Sequence, residues 1–165
     1  MVLEYSLIAL LSPLVGGVIA AFFGKSMGKI FVNASTILGV TISFIFSCML
    51  AIDLYQTSAV FNQNLYTWID IGTFTFHIGL LIDNLTASMM VVVTFVSLMV
   101  HIYTIGYMHD DPGYHRFFAY ISLFTFSMLS LVMSNNFLQL FFGWEAVGVM
   151  SYLLIGFWYT KESAI

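Results

Sequence analysis

One carboxylate in this sequence stands where chemistry is the best reason for it. Glu145 lies near the middle of "NNFLQLFFGWEAVGVMSYLLIGFWYT", Asn135 to Thr160, a stretch that otherwise reads as a membrane-spanning segment. An acidic side chain near the centre of a membrane helix costs roughly 2.5 to 3.5 kcal/mol on insertion scales, so a role must offset it. Two roles fit. In one, a lysine in the same site approaches and withdraws, and the carboxyl takes up and releases a proton as the separation changes. In the other, a permanently protonated glutamate donates a fixed hydrogen bond between helices. Intramembrane acids are functional by default, which favours proton handling. At about 100° per residue, Leu138, Phe141, Gly148, Tyr152, Gly156 and Tyr159 share its face, and the small residues among them would admit a neighbouring helix. That face is expected to meet protein. The opposite one, Leu140, Val147, Met150, Leu154 and Trp158, suits lipid apart from Gly143.

A second polar row, Asp83, Thr86, Thr94, Ser97, His101 and Thr104, recurs at three- and four-residue steps. Such a row either lines a hydrated path or makes ordinary hydrogen bonds between helices. His101 is its candidate relay, because imidazole exchanges a proton near neutrality. Tyr120, Ser127, Ser130 and Ser134 form a thinner row further along. His77, and His109 and His115 around "DDPGY", raise the question of a metal, but no helical spacing puts them on one face, and solvated loops account for them. Cys48 stands alone, which excludes an internal disulfide and a C-x-x-C ligand pair. Neither a glycine-rich phosphate loop nor a nucleophile elbow nor a cysteine set for iron and sulfur is present.

The elements that must hold these residues follow from composition. The 165 residues are 61% hydrophobic and 7% charged, the signature of an integral membrane protein. A net charge of −4 without a basic patch gives nucleic acid no purchase. A hydrocarbon core of about 30 Å takes about 20 apolar residues in helix, and five stretches qualify. These are Tyr5 to Gly24, Ile30 to Ile52, Asn84 to Met108, Phe117 to Met133, and Phe137 to Tyr159. Glu4, where a signal peptide would carry a basic residue, argues that the first span is kept. Between the second and third, Asp53 to Asp83 contains the alternating "GTFTFHIGLL", which suggests a strand or hairpin at the membrane surface. The expected fold is all-α integral membrane with about five transmembrane helices: two in residues 1–52, an outer hairpin-like segment in 53–83, and three in 84–165.

Lys25, Lys29, Arg116 and Lys161 all fall on one side of that arrangement, which the positive-inside bias makes cytoplasmic. The N-terminus, the loop with Asp53, Asp70 and Asp83, and "SNN" at Ser134 to Asn136 then face outward. Tyr66 and Trp68 near the outer boundary, with Tyr103, Tyr107, Trp158 and Tyr159 near the inner one, suit the headgroup layers.

"DNLTASMM", "YTIGYMHDDPGYHRFFAYISLFTFSMLSLVMSNNFLQLFFGWE" and above all "GWEAVGVMSYLLIGFWY" carry a resemblance. The chain resembles the N-terminal part of the subunit L, or chain 5, family of proton-pumping NADH-quinone oxidoreductase (respiratory complex I), most clearly from Leu81 to Tyr159. Ala146 departs from the glycine frequent in that branch. The resemblance implies an antiporter-like fold of inverted helical repeats with broken helices, of which this sequence carries the opening. It implies that Glu145 belongs to a row of intramembrane ionisable residues that moves protons, with a lysine on a later helix as its partner. No lysine lies within any span here, so the sequence alone is expected to be inactive. NADH, FMN, iron–sulfur clusters and quinone are expected on other subunits, and the partners are other membrane-arm subunits, the C-terminal remainder of the subunit and the lipid bilayer. A bacterial inner membrane is the expected location. The alternatives are a subunit of a cation/proton antiporter, and a structural fragment in which Glu145 only anchors packing.

Overall fold

A computed structural model describes residues 1–57, 59–72 and 75–159. Its elements are α1 (Val2–Met27), α2 (Lys29–Thr57), β1 (Phe61–Asp70), β2 (Thr75–Ile82), α3 (Asn84–Tyr107), α4 (Tyr114–Val132) and α5 (Phe137–Ile155). All five helices are long and apolar enough to cross a membrane, and they coincide with the five expected spans. α1 and α2 overrun their apolar stretches at both ends, because a helix keeps its backbone bonds satisfied into the headgroup layer. α5 is shorter than expected: Gly156 ends it, so Trp158 and Tyr159 lie in the turn beyond. Lys161, part of the charge argument for orientation, lies outside the described residues.

Close approach between helices is set by small residues, since lipid offers no hydrophobic drive to bring helices together. α1 and α2 cross where Ser12 and Gly16 meet Ser35 and Gly39. A methyl group added at Gly16 would come within 2.6 Å of the Ser35 carbonyl oxygen, and one at Gly39 within 2.6 Å of that of Ser12. Gly28 turns the chain between the two helices with a φ of 85°, a conformation that only glycine adopts without strain. α4 is the hub, packing against α1, α2, α3 and α5. Gly17 of α1 lies on Ala119 and Ser122 of α4, and Gly143 of α5 lies on the Leu131 backbone.

Two apolar clusters fill the bundle. The outer one joins Leu50, Leu54, Leu80, Ile82, Met90, Leu129 and Met133, and the inner one joins Ala20, Val32, Met108, Tyr114, Phe118 and Phe157. Several buried hydroxyls are satisfied by carbonyls of their own or a neighbouring helix: Thr36 donates to Val32 O at 2.8 Å, and Ser43 to Ala9 O at 2.6 Å.

β1 and β2 form the expected hairpin, antiparallel, with register shifts at Asn64/Tyr66 and Thr67/Ile69. It lies over the outer cluster through Leu80 and Ile82. "GTFTFHIGLL" falls on β2 from Thr75 onward, but burial there does not alternate, since Gly79 and Leu80 are both buried and the pairing shifts register twice; residues 73 and 74 lie outside the described residues.

Candidate functional site

The row on α3 folds inward. Thr94 and His101 are fully buried, and Thr86, Ser97 and Thr104 nearly so. Their hydroxyls and ring do not form one continuous line. Thr94 donates to Met90 O of its own helix at 2.7 Å, and Asp83 caps α3 by accepting from the Thr86 N–H at 2.7 Å. That backbone hydrogen bond holds the Asp83 carboxyl below the usual carboxylate range, burial opposing it more weakly.

The side-chain contacts of this row with a second helix lie at the seam between α3 and α4. His101 Nδ1 lies 2.8 Å from Ser97 O. A carbonyl only accepts, so Nδ1 carries a proton. His101 Nε2 lies 3.0 Å from Ser122 Oγ, a hydroxyl that can donate to the neutral ring or accept from the protonated one. Ser97 Oγ is 3.4 Å from Nδ1 and 2.5 Å from Thr125 Oγ1, whose own proton goes to Ile121 O at 2.9 Å. A chain of four side chains, Ser122, His101, Ser97 and Thr125, therefore crosses the seam, with the Phe118 ring edge-on to the imidazole at 5.9 Å between centroids. Ser122 and Thr125 escaped the sequence reading. Their signal was a three-residue step on the fourth span, whereas the row chosen there is spent on its own helix: Ser127 donates to Leu123 O and Ser130 to Phe126 O.

Glu145 lies in the middle of α5, and the structure corrects the lipid assignment of the face opposite it. Gly143 is buried against Leu131, and Val147, Met150 and Leu154, assigned to lipid from the sequence, are half-buried on the same side. Glu145 is exposed, with Phe141, Gly148 and Tyr152 beside it, and Tyr152 retains 76% of its surface. The physical reason is contact distance. A methyl group at Gly143 would stand 2.8 Å from the Leu131 Cα, so only glycine lets α5 approach α4 there, whereas Gly148 has nothing within 4 Å. Among the described residues none hydrogen-bonds or pairs with Glu145, and it is not brought together with His101.

The start of α5 is held by the hairpin. Asn136 accepts from the Gln139 N–H at 2.9 Å and donates to His77 O at 2.8 Å, while Gly79 N–H donates to Gln139 Oε1 at 3.0 Å. Asn135 donates to Asn62 and Asn64 at 3.1 and 2.8 Å, and Trp68 stands against Phe142. This clasp holds the first turn of α5 against the hairpin.

The remaining histidines stand apart. His77 contacts Thr67 Oγ1 at 3.0 Å in the hairpin, His109 pairs with Asp110 at 2.9 Å in the exposed inner loop, and His115 lies in the first turn of α4. Among the described residues no three His, Cys, Asp or Glu side chains are grouped to hold a metal.

Known sequences match this arrangement closely. Residues 68–118 match the family model described as NADH-Ubiquinone oxidoreductase (complex I), chain 5 N-terminus, and residues 134–165 match that described as NADH:quinone oxidoreductase/Mrp antiporter, TM. NADH-quinone oxidoreductase subunit L of Neisseria meningitidis is 58% identical over 162 residues, covering 97% of this chain and 24% of the relative. The chain belongs to the subunit L/chain 5 family. Subunit L of Rickettsia conorii is 47% identical over 92% of the chain, and NADH-ubiquinone oxidoreductase chain 5 of Dictyostelium discoideum 42% identical over 96%. The chain thus spans about a quarter of the length of its subunit L/chain 5 relatives, 23% and 24% respectively. The same fold occurs in the solved membrane-bound sulfane sulfur reductase, an archaeal respiratory membrane complex, with a TM-score of 0.68 over 90% of this chain and 22% of that one at 20% identity.

Proposed function

We propose that this chain is part of the proton-translocating membrane arm of NADH-quinone oxidoreductase, where quinone reduction drives proton transport, and that Glu145 is a proton-relay group within it. The observation that carries the reading is a carboxylate midway along an otherwise apolar membrane helix, inside the segment matched by the transmembrane family model. Its open face, with Gly148 free of contacts, suits a further helix bringing a cation to the carboxylate. The α3–α4 seam supports a second, smaller role for His101, since Ser122 can serve either protonation state of the ring. NADH, FMN, iron–sulfur clusters and quinone are assigned to other subunits, and the chain to a bacterial inner membrane with its N-terminus outside.

Glu145→Gln in the complete subunit tests this. The expected result is an assembled complex that still oxidises NADH but translocates protons several-fold more slowly. Full NADH-driven pumping by that variant would remove Glu145 from the path. His101→Gln is expected to lower pumping less, and unchanged pumping would assign the seam to packing. The second family description, which names an Mrp antiporter, favours one alternative, a cation/proton antiporter subunit. Proton exchange that depends on sodium or potassium and persists without NADH would favour it.

A further inference from the structure

At the basic end of the bundle, the α1–α2 turn, the inner loop and the first turn of α4 enclose a cleft of about 400 Å³ lined by Lys25, Lys29, Tyr114 and His115, with Asp110 and Asp111 on its loop side. Three observations show how it is built. Gly28 reverses the chain so that Lys25 and Lys29 flank the turn. A methyl group at Gly24 would stand 2.9 Å from the His115 Cβ, so the histidine is set directly against the end of α1. Tyr114 is fixed by donating to Asn33 Oδ1 at 2.7 Å.

The carboxylates of the cleft are already engaged. Asp111 accepts from the Gly113 N–H and from the Trp158 indole N–H, both at 2.8 Å, and Asp110 is paired with His109. Lys29 donates to the His109 carbonyl and lies 5.5 Å from the centre of the Tyr114 ring. The donors left over are cationic or neutral. Lys25 Nζ and the His115 ring make no hydrogen bond with a described residue, while the Arg116 guanidinium beside them lies outside the cleft, over the Phe157 ring at 4.8 Å, and adds only its charge. Phe22, Met27 and Ile30 stand at the same level with 78%, 58% and 86% of their surface exposed.

We propose that this cleft binds the phosphate of an anionic phospholipid, held by Lys25 and His115 in the field of Lys29 and Arg116. Donors in excess of acceptors select an anion, and imidazole offers an N–H in either protonation state. The exposed apolar side chains at the same depth select a lipid over a free ion, because they can carry acyl chains while the headgroup meets the bases. This site lies at the opposite end of the molecule from the hairpin clasp and does not depend on proton transport.

The test uses the protein purified with the subunits that stay bound to it, in nanodiscs containing photoactivatable phosphatidylglycerol or phosphatidylcholine, with labelled peptides mapped. Phosphatidylglycerol is expected to label the segments around Lys25 to Ile30 and Tyr114 to Phe118 at least about fivefold over phosphatidylcholine, the preference one well-placed lysine confers at a membrane surface. Lys25→Gln with Ser26→Lys and His115→Gln retains the lysine count of the loop, so insertion is preserved, and is expected to bring labelling to the phosphatidylcholine level. Equal labelling by the two lipids, or an undiminished preference in the variant, overturns the proposal. Loss of labelling on adding millimolar inorganic phosphate also overturns it, assigning the cleft to a free anion.

Discussion

Asp83 shows how much one side chain at a helix end can report. Its carboxyl is held below the usual range by the Thr86 N–H, so the ionised form is favoured in the folded chain. The stability it contributes is present above the unfolded carboxylate value of about 3.9 and is lost as pH falls through the lower folded value. Asp83→Asn keeps an acceptor of similar capping strength and should remove this acid dependence, whereas Asp83→Ala should cost about 1 kcal/mol at neutral pH. Hydrogen exchange at the first turn of α3 between about pH 2 and about pH 5, a range that brackets the unfolded value of about 3.9 and the lower folded one, measures both. An acid dependence that survives in Asp83→Asn would place it elsewhere. At this scale the sequence was legible where spacing alone decides: the row from Thr86 to Thr104 does share one face of α3, and that face is buried. The partners of His101 were not legible. Which side of α4 turns toward α3 depends on Gly17 of α1 seating against Ser122, a contact between distant parts of the chain.

Helix crossings are decided by where a backbone can approach. Gly39→Ala would force a methyl group against the Ser12 carbonyl, and Gly16→Ala would do the same against Ser35, so each should destabilise the α1–α2 pair by about 1 to 3 kcal/mol. Because both act at one crossing, the double variant should fall short of the sum. Gly148→Ala meets nothing within 4 Å and should leave the isolated bundle unchanged. Thermal unfolding in detergent separates these cases, and a Gly148→Ala variant as unstable as Gly39→Ala would refute the facing of α5 described above. The five spans were legible because length and hydropathy suffice for them. The facing of α5 was not, since small residues occur on two of its sides and periodicity cannot say which of them α4 will use. Gly143 against Leu131 decided it, and left Glu145 on the open side.

Across the whole molecule, Lys25, Lys29 and Arg116 stand at one end of the bundle and Asp53, Asp70 and Asp83 at the other, as the charge pattern of the sequence required. With Cys48 replaced by serine, Lys25→Cys should react with an impermeant maleimide only from the cytoplasmic side and Asp70→Cys only from the opposite side. Labelling of both from one side would contradict the orientation. The position of α4 as hub carries a consequence for how the protein is made. α1, α2, the hairpin and α3 are all synthesised before it, yet Gly17, His101 and the outer cluster find their partners on it. Until the fourth span enters the bilayer, Ser97 and His101, which meet Thr125 and Ser122 of α4 in the finished bundle, face lipid or the insertion machinery. Nascent chains halted just short of Tyr114 should therefore stay associated with the insertase, and chains extended past Val132 should be released from it.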